Sequence, residues 1–308
     1  MRKKRIILYM CTQHLKKKNQ AIGIAAASST QEVSSADLSL DEKWNDWFAG
    51  MTDGDGCFYI NKKDKSISFE VTTHTTDIRI LRDIKNKIKM GSVKMRSGSE
   101  SMRYRVKASE AIREIVKRLN GRLHNSVRLQ QFSRVCELLG IKQIPSPVIV
   151  SPQNAYLAGL LDSDGCITIN VSSCSQEDSQ LSGVAGKIVR LKNSRGNNQL
   201  MAKVTLSDQA NMLLLKNSYG FGSIYADNSY PKATKTKYNW YIRSLTDFNT
   251  LYELLKKYPL KGVKMHRMRL TPLYFKYKEL KYHLAKPDTL EYKIWENFCK
   301  SWFKYHTQ

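Results

Sequence analysis

Two nine-residue stretches decide how this chain is read: Phe48-Ala49-Gly50-Met51-Thr52-Asp53-Gly54-Asp55-Gly56 and, 109 positions later, Leu157-Ala158-Gly159-Leu160-Leu161-Asp162-Ser163-Asp164-Gly165. Each is an apolar run holding an Ala-Gly pair, closed by Asp-x-Asp-Gly and followed by a cysteine and an alternating segment. Trp44, Trp47, Phe48 and Met51 recur with helical spacing, so the first stretch ends a helix near Asp53 or Gly54. A glycine inside a helix costs up to about 1 kcal/mol relative to alanine, so one in each copy implies that something packs closely against it. Two such helices laid side by side on Ala49-Gly50 and Ala158-Gly159 would bring Asp55 and Asp164 together where the helices end.

The likeness extends well past these runs. Val71-Thr72 matches Val204-Thr205, and Met90-Gly91-Ser92-Val93 matches Phe221-Gly222-Ser223-Ile224. Tyr104 to Phe132 runs against Trp240 to Met268 without a gap, so the second copy carries an insertion. It falls in the polar segment Ser172 to Asn198, where Ser194-Arg195-Gly196-Asn197-Asn198 reads as a hairpin tip. Each half reads as helix, two strands, helix, two strands, helix. Phe58 and Ile60 face one way and Tyr59, Asn61 and Lys63 the other; Ile167, Ile169 and Val171 oppose Thr168, Asn170 and Ser172. The fold class is α+β: two tandem, pseudo-twofold-related αββαββα halves, each an antiparallel sheet covered by helices on one face. The expected division is a basic, Ser-rich extension over residues 1–40, a first half over 41–146 and a second over 147–308. The aromatic stretch Trp295, Phe298, Trp302 and Phe303 in the second half reads as a helix packed on the core.

Lys and Arg outnumber Asp and Glu by 51 to 27, a formal charge of +24, which points to a polyanionic partner. A merely soluble basic protein would share that charge, so its location matters. The outward strand positions Lys63, Arg103, Arg105, Lys107, Arg190, Lys192, Lys203 and Arg243 are basic, with Tyr59, Asn61, Thr168, Asn170 and Tyr241 among them. Glu70 is the exception. A twisted sheet with such a face can enter the major groove and read base edges. The six cysteines show no CxxC or His/Cys spacing of the kind zinc requires, and reducing conditions suit them. No apolar run approaches the roughly 20 residues that cross a bilayer. Residues 1–31 lack acidic groups and carry Arg2 to Arg5 and Lys16 to Lys18, the composition of an organellar presequence or of a basic tail.

The paired motif resembles that of the LAGLIDADG homing endonucleases, and a chain with two copies resembles their monomeric, pseudo-symmetric members. An EF-hand loop is a poor competitor, because its glycine and bidentate glutamate positions hold Phe58 and Asp64 in one copy and Ile167 and Ser173 in the other. The resemblance implies a saddle of two sheets on double-stranded DNA, a long asymmetric site, and cleavage of both strands across the minor groove with 3′ overhangs. It implies Mg²⁺ held by the last motif aspartates with the preceding carbonyls: Asp55 with Gly54, and Asp164 with Ser163. Asp53 and Asp162 would be structural. A basic pocket residue follows a Pro-Leu turn in the family, which here nominates Lys264 after Tyr258-Pro259-Leu260-Lys261; the gap-free register sets Arg128 opposite it. His74 stands where the family often has water-orienting side chains. Such proteins are encoded in introns, often in mitochondria or chloroplasts. Two rivals share the scaffold: an intron maturase that binds intron RNA, and a transcription regulator that would be expected to lose an acidic residue.

Overall fold

The structure is a computed structural model that describes residues 40–227 and 236–306. The expected N-terminal extension therefore lies outside the described residues. The first half runs α1 (Leu40–Asp55), β1 (Gly56–Ile60), β2 (Ile67–His74), a 3-10 turn (Thr75–Asp77), α2 (Ile78–Ile88), β3 (Ser92–Met95), β4 (Ser101–Val106), α3 (Ser109–Leu119) and α4 (Ser126–Leu139). The second runs α5 (Tyr156–Ser163), β5 (Gly165–Val171), α6 (Gln176–Gln180), α7 (Gly183–Asn193), β6 (Asn198–Leu206), α8 (Gln209–Tyr219), β7 (Ser223–Asp227), β8 (Lys237–Ile242), α9 (Leu245–Lys257) and α10 (Lys264–Glu279). Helix α11 (Leu290–Trp302) closes the chain and buries Trp295, Phe298 and Trp302.

Both sheets have four antiparallel strands, in the orders β1-β2-β4-β3 and β5-β6-β8-β7. The duplication read in the sequence is thus a duplication of topology. Alternation makes each sheet two-faced. In the first, Phe58, Phe69, Val71, Tyr104 and Val106 point inward onto Ile80, Leu81 and Ile84 of α2 and Ile112, Ile115 and Leu119 of α3. In the second, Ile167, Ile169, Val204, Trp240 and Ile242 meet Met212 and Leu215 of α8 and Phe248 and Leu251 of α9. Each large apolar side chain so buried contributes roughly 1.5–3 kcal/mol.

Three expectations on strand geometry require correction. The segment Ser172 to Asn198 is not a strand hairpin with a tip at Ser194; it forms α6 and α7. Ser194 and Asn198 are buried there, and the Asn198 amide closes the turn by donating to Ser194 Oγ (2.7 Å) and the Arg195 carbonyl (2.8 Å). Arg190 and Lys192 accordingly lie on α7, not on an outward strand face. Val189-Arg190-Leu191-Lys192 alternates over too short a run to separate the strand period from the helical one. Packing decides: Leu191 is buried, and Trp295 of α11 donates to the Lys192 carbonyl at 3.2 Å. Asn61 and Lys63 also leave their strand, since β1 ends at Ile60 and the Asn61 side chain accepts from Lys63 N (3.0 Å) in a tight turn.

The halves meet along α1 and α5. A Cβ on Gly159 would overlap the Trp47 carbonyl oxygen and approach Met51 N to 2.7 Å, and one on Gly50 would overlap the Tyr156 carbonyl oxygen and approach Leu160 N to 2.8 Å. Each glycine therefore lets the backbone of the other helix touch its own.

Candidate active site at the helix seam

Helix α1 stops at Asp55 and α5 at Ser163, where Asp164 N still bonds the Leu160 carbonyl (3.0 Å) before the chain turns into β5. The two ends nest because they differ in one atom group. Gly54 has no side chain, and a Cβ there would come within 2.5 Å of Ser163 Cβ and 3.0 Å of Asp164 Oδ2. Ser163 fills the space that Gly54 leaves. Asp55 and Asp164 are both half-buried at this junction. Burial pushes the Asp55 carboxyl up to about 7, and the Asp164 charge adds to the rise while Lys264 and Arg128 oppose it. Burial also raises Asp164 against the same two cations.

Those cations sit at the carbonyl ends of the motif helices, where the helix dipole is negative. Lys264 Nζ donates to the carbonyls of Leu161 (3.0 Å), Asp162 (2.8 Å) and Ser163 (2.9 Å). Arg128 Nη2 donates to Gly54 O (3.2 Å), and its Nη1 turns to Gln131 Oε1 (3.3 Å). A carbonyl oxygen has two lone pairs, so Gly54 and Ser163 each retain one for another ligand. The two half-sites are alike in plan and different in detail.

The first motif acids are turned the other way. Asp53 Oδ2 accepts from His124 N (2.7 Å), Asn125 N (3.1 Å) and the Tyr156 hydroxyl (2.7 Å); its buried Oδ1 has no partner among the described residues. Asp162 accepts from Trp47 Nε1 (2.9 Å), Lys261 N (2.8 Å) and Gly262 N (2.9 Å). Burial raises both acids, Asp53 to about 6. The backbone donors belong to the turns that launch α4 and α10, so these acids fix the entry of the helices that carry Arg128 and Lys264. Trp47 and Tyr156 occupy equivalent positions, and each crosses the seam to the other half's first aspartate. Sequence reading missed both, although an aromatic stands directly before each motif. It also missed Gln131, which accepts from Phe58 N (3.3 Å), and its counterpart Arg267, which donates to Ile167 O (2.9 Å).

The raised pKa of Asp55 gives a stability prediction with a definite sign. A folded-state pKa near 7, against an ordinary 3.8, means the folded protein holds a proton that the unfolded chain releases, so rising pH withdraws stability through that window. Asp55→Asn should leave the melting temperature of the metal-free protein little changed at about pH 4 and raise it at about pH 8. Thermal melts at the two pH values check this; an equal shift at both would contradict it.

On the outer face of the first sheet, Arg103 and Arg105 both pair with Glu70 (3.1 and 2.8 Å), so that acid orders rather than merely dilutes the basic row. Tyr59 is exposed on β1, Lys107 follows β4, and Lys94 of β3, opposite Arg103, extends the row unanticipated. In the second sheet Lys203 lies opposite Tyr241, and Arg243 stacks over the Tyr241 ring at 4.1 Å, with Tyr225 beside it. Thr168 and Asn170 share this face with Gln199 and Asn239. Arg190, though on α7, lines the same groove as Thr168, Asn170 and Arg243 while donating to the carbonyls of Asp178 and Leu181. Lys192 is turned away to Glu296 (3.3 Å). His74 bonds Thr76 and Glu100 and is exposed. Among the described residues no three His, Cys, Asp or Glu side chains form a metal-holding group, and no helix is long and apolar enough to cross a membrane.

The chain is similar to known proteins in sequence and in fold. A family model described as LAGLIDADG endonuclease matches residues 48–139 and 157–271. Similar proteins include a probable intron-encoded endonuclease, aI2, of Debaryomyces hansenii (34% identical, over 86% of this chain and 38% of that protein). An intron-encoded RNA maturase, bI4, of Saccharomyces cerevisiae is 32% identical over 84% of this chain and 36% of its own length. The chain thus spans little more than a third of either relative. An intron-encoded DNA endonuclease, ai2b, of Dictyostelium discoideum is 28% identical over 86% of this chain and 91% of that protein. Among solved structures, the LAGLIDADG meganuclease I-AabMI bound to uncleaved DNA has a similar fold, with a TM-score of 0.61 at 17% identity over 86% of this chain and 99% of that one.

Proposed function

The chain belongs to the LAGLIDADG endonuclease family, and on that premise we propose that it is a site-specific endonuclease that cuts both strands of a long, asymmetric DNA duplex as a single chain. The observation that carries this reading is the pair Asp55 and Asp164, two half-buried carboxylates at the seam that share the cations Lys264 and Arg128. Like charges held together and pushed toward neutrality fit a divalent cation between them. Asp55, Asp164 and the carbonyls of Gly54 and Ser163 would hold it, and we take it to be Mg²⁺. When bound, such an ion supplies charge neutralisation at a phosphate and a more acidic water.

The residues do the rest. The two sheets present Tyr59, Lys94, Arg103, Arg105 and Lys107 on one side and Thr168, Asn170, Lys203, Tyr241 and Arg243 on the other, which hold the duplex across the seam by phosphate contacts and base-edge readout. Lys264 and Arg128 place fixed positive charge where negative charge builds on each scissile phosphate. Arg128 offers a planar fork of donors, while Lys264 is a compact point charge with three donors. The half-sites are therefore unequal, and the two strands are cut at different rates.

Incubating the protein with a randomised duplex library in Mg²⁺ should return a single family of cleaved sites with 3′ overhangs, and EDTA should abolish cleavage. Recovery of no cleaved site in Mg²⁺ would overturn the reading. The maturase relative motivates a second role in folding intron RNA, which a splicing assay with the protein's own intron would detect. The acid-free, basic residues 1–31, with intron-encoded relatives, support residence in an organelle.

A further inference from the structure

Each basic side chain of the site lies in the first turn of a helix whose entry is gripped from both halves. Asp77 ends the 3-10 turn after β2, at the position that caps α2, yet its side chain makes no bond to α2. It is buried, and Oδ1 instead accepts from Val263 N across the seam at 2.7 Å. Val263 is the residue before Lys264 and offers α10 no side-chain cap of its own. The neighbouring Gly262 is pinned from both sides: a Cβ there would come within 2.7 Å of Asp77 Oδ1 and 2.9 Å of Asp162 Oδ1, and Arg79 donates to its carbonyl. The duplicate of Asp77 is Asp208. It caps its own helix through Oδ1 (Ala210 N, 2.9 Å) and reaches back across the seam with Oδ2, which accepts from Ser126 Oγ at 2.6 Å. Ser126 opens α4, two residues before Arg128, and there Asn125 already caps Val127 and Arg128 N.

We infer that Asp77 and Asp208 are positioning residues, each aiming the basic side chain of the opposite half at its scissile phosphate. The inference rests on the endonuclease reading above. An acceptor at a helix N-terminus fixes where the first turn starts, and Lys264 stands in the first turn of α10. A displacement of about 1 Å in such a group can cost roughly 100-fold in rate. The unequal caps make the two clamps unequal. Without Asp77, α10 loses the one side-chain cap on Val263 N; without Asp208, α4 keeps Asn125.

The test uses the full-length protein and a supercoiled plasmid carrying a site that wild type cleaves, with the two strands labelled separately. Asp77→Ala should slow one strand roughly 10- to 100-fold in kcat, leave the DNA dissociation constant unchanged, and accumulate a nicked intermediate. Asp208→Ala should slow the opposite strand, and by less. Asp77→Asn retains the acceptor without the charge and should restore the strand cut by more than half of what Asp77→Ala lost. Ser126→Ala removes the second contact from its other end and should reproduce the strand bias of Asp208→Ala, so the idea remains testable if Asp77→Ala fails to fold. Equal slowing of both strands, a change in DNA affinity alone, or an Asp77→Asn variant as slow as Asp77→Ala would overturn the inference. A wild type that cleaves no site would instead overturn the endonuclease reading itself.

Discussion

Gly159→Ala should destabilise the protein by about 3 kcal/mol or more, although alanine is the better helix former. In a helix free of close neighbours the same change would stabilise by up to about 1 kcal/mol, so the sign of the effect reports the seam directly. The methyl group has nowhere to go. It would overlap the Trp47 carbonyl oxygen and crowd Met51 N, and these are backbone atoms of α1 that cannot rotate away. Relief requires α1 and α5 to separate, which opens the contacts of Phe48, Ala49, Leu157 and Ala158, all fully buried. Gly50→Ala should behave alike, because its Cβ meets α5 in the same way. The double variant should cost less than the sum of the two, since one separation accommodates both methyls. Gly196→Ala, with open space around it, serves as the near-neutral control. Urea unfolding of the four variants reads all of this, and a stabilising Gly159→Ala would sink the packing argument.

Replacing Asp55 and Asp164 together by asparagine should lower cleavage on the order of 1,000-fold or more, about 4 kcal/mol of barrier, with the duplex still bound. The expected separation of binding from cleavage follows from where the groups lie. The proposed duplex contacts are spread over the two sheets, whereas the two carboxylates stand at the seam between them, beside Lys264 and Arg128. Asparagine has the volume of aspartate and keeps an acceptor oxygen, but it removes the negative charge that a cation needs. Removing two anions from a surface that meets phosphates should, if anything, tighten DNA binding. Either single variant should leave one strand cut faster than the other and collect nicked plasmid. The measurements are a strand-resolved cleavage assay beside a gel-shift titration; a double variant that still cuts both strands would remove these acids from the chemistry.

The fold was legible in the sequence because two independent signals agreed: a repeated motif with glycine at the seam, and a change from helical to strand period directly after it. Topology then repeated with the motif. What failed was local. Arg190 and Lys192 lie in a run too short to tell period 2 from period 3.6, and their helix is held by burial of its own Leu191 and by a bond from Trp295 of α11. Asn61 alternated correctly with its neighbours but turns the chain with its own side chain, an effect that periodicity does not register. Of the candidate site, the acids were legible from the motif and the cations from the gap-free register of the later repeat. Its supports were not. Trp47, Tyr156, Asp77 and Asp208 act by crossing from one half to the other, and pairing across a seam depends on how the halves are placed, which neither half's sequence states. The Glu70 bridge to Arg103 and Arg105 is the same kind of information on a smaller scale, since strand register sets it.

If the paired carboxylates at the helix seam form a cation site for cutting DNA, anomalous diffraction should locate the ion between them. Crystals of the protein with a cleavable duplex, soaked in Mn²⁺, should show anomalous density within ligand distance of both Asp55 and Asp164, and none there in the double asparagine variant. Cleaved DNA in the crystal with Mn²⁺ bound elsewhere, and no density between these two side chains, would contradict the account.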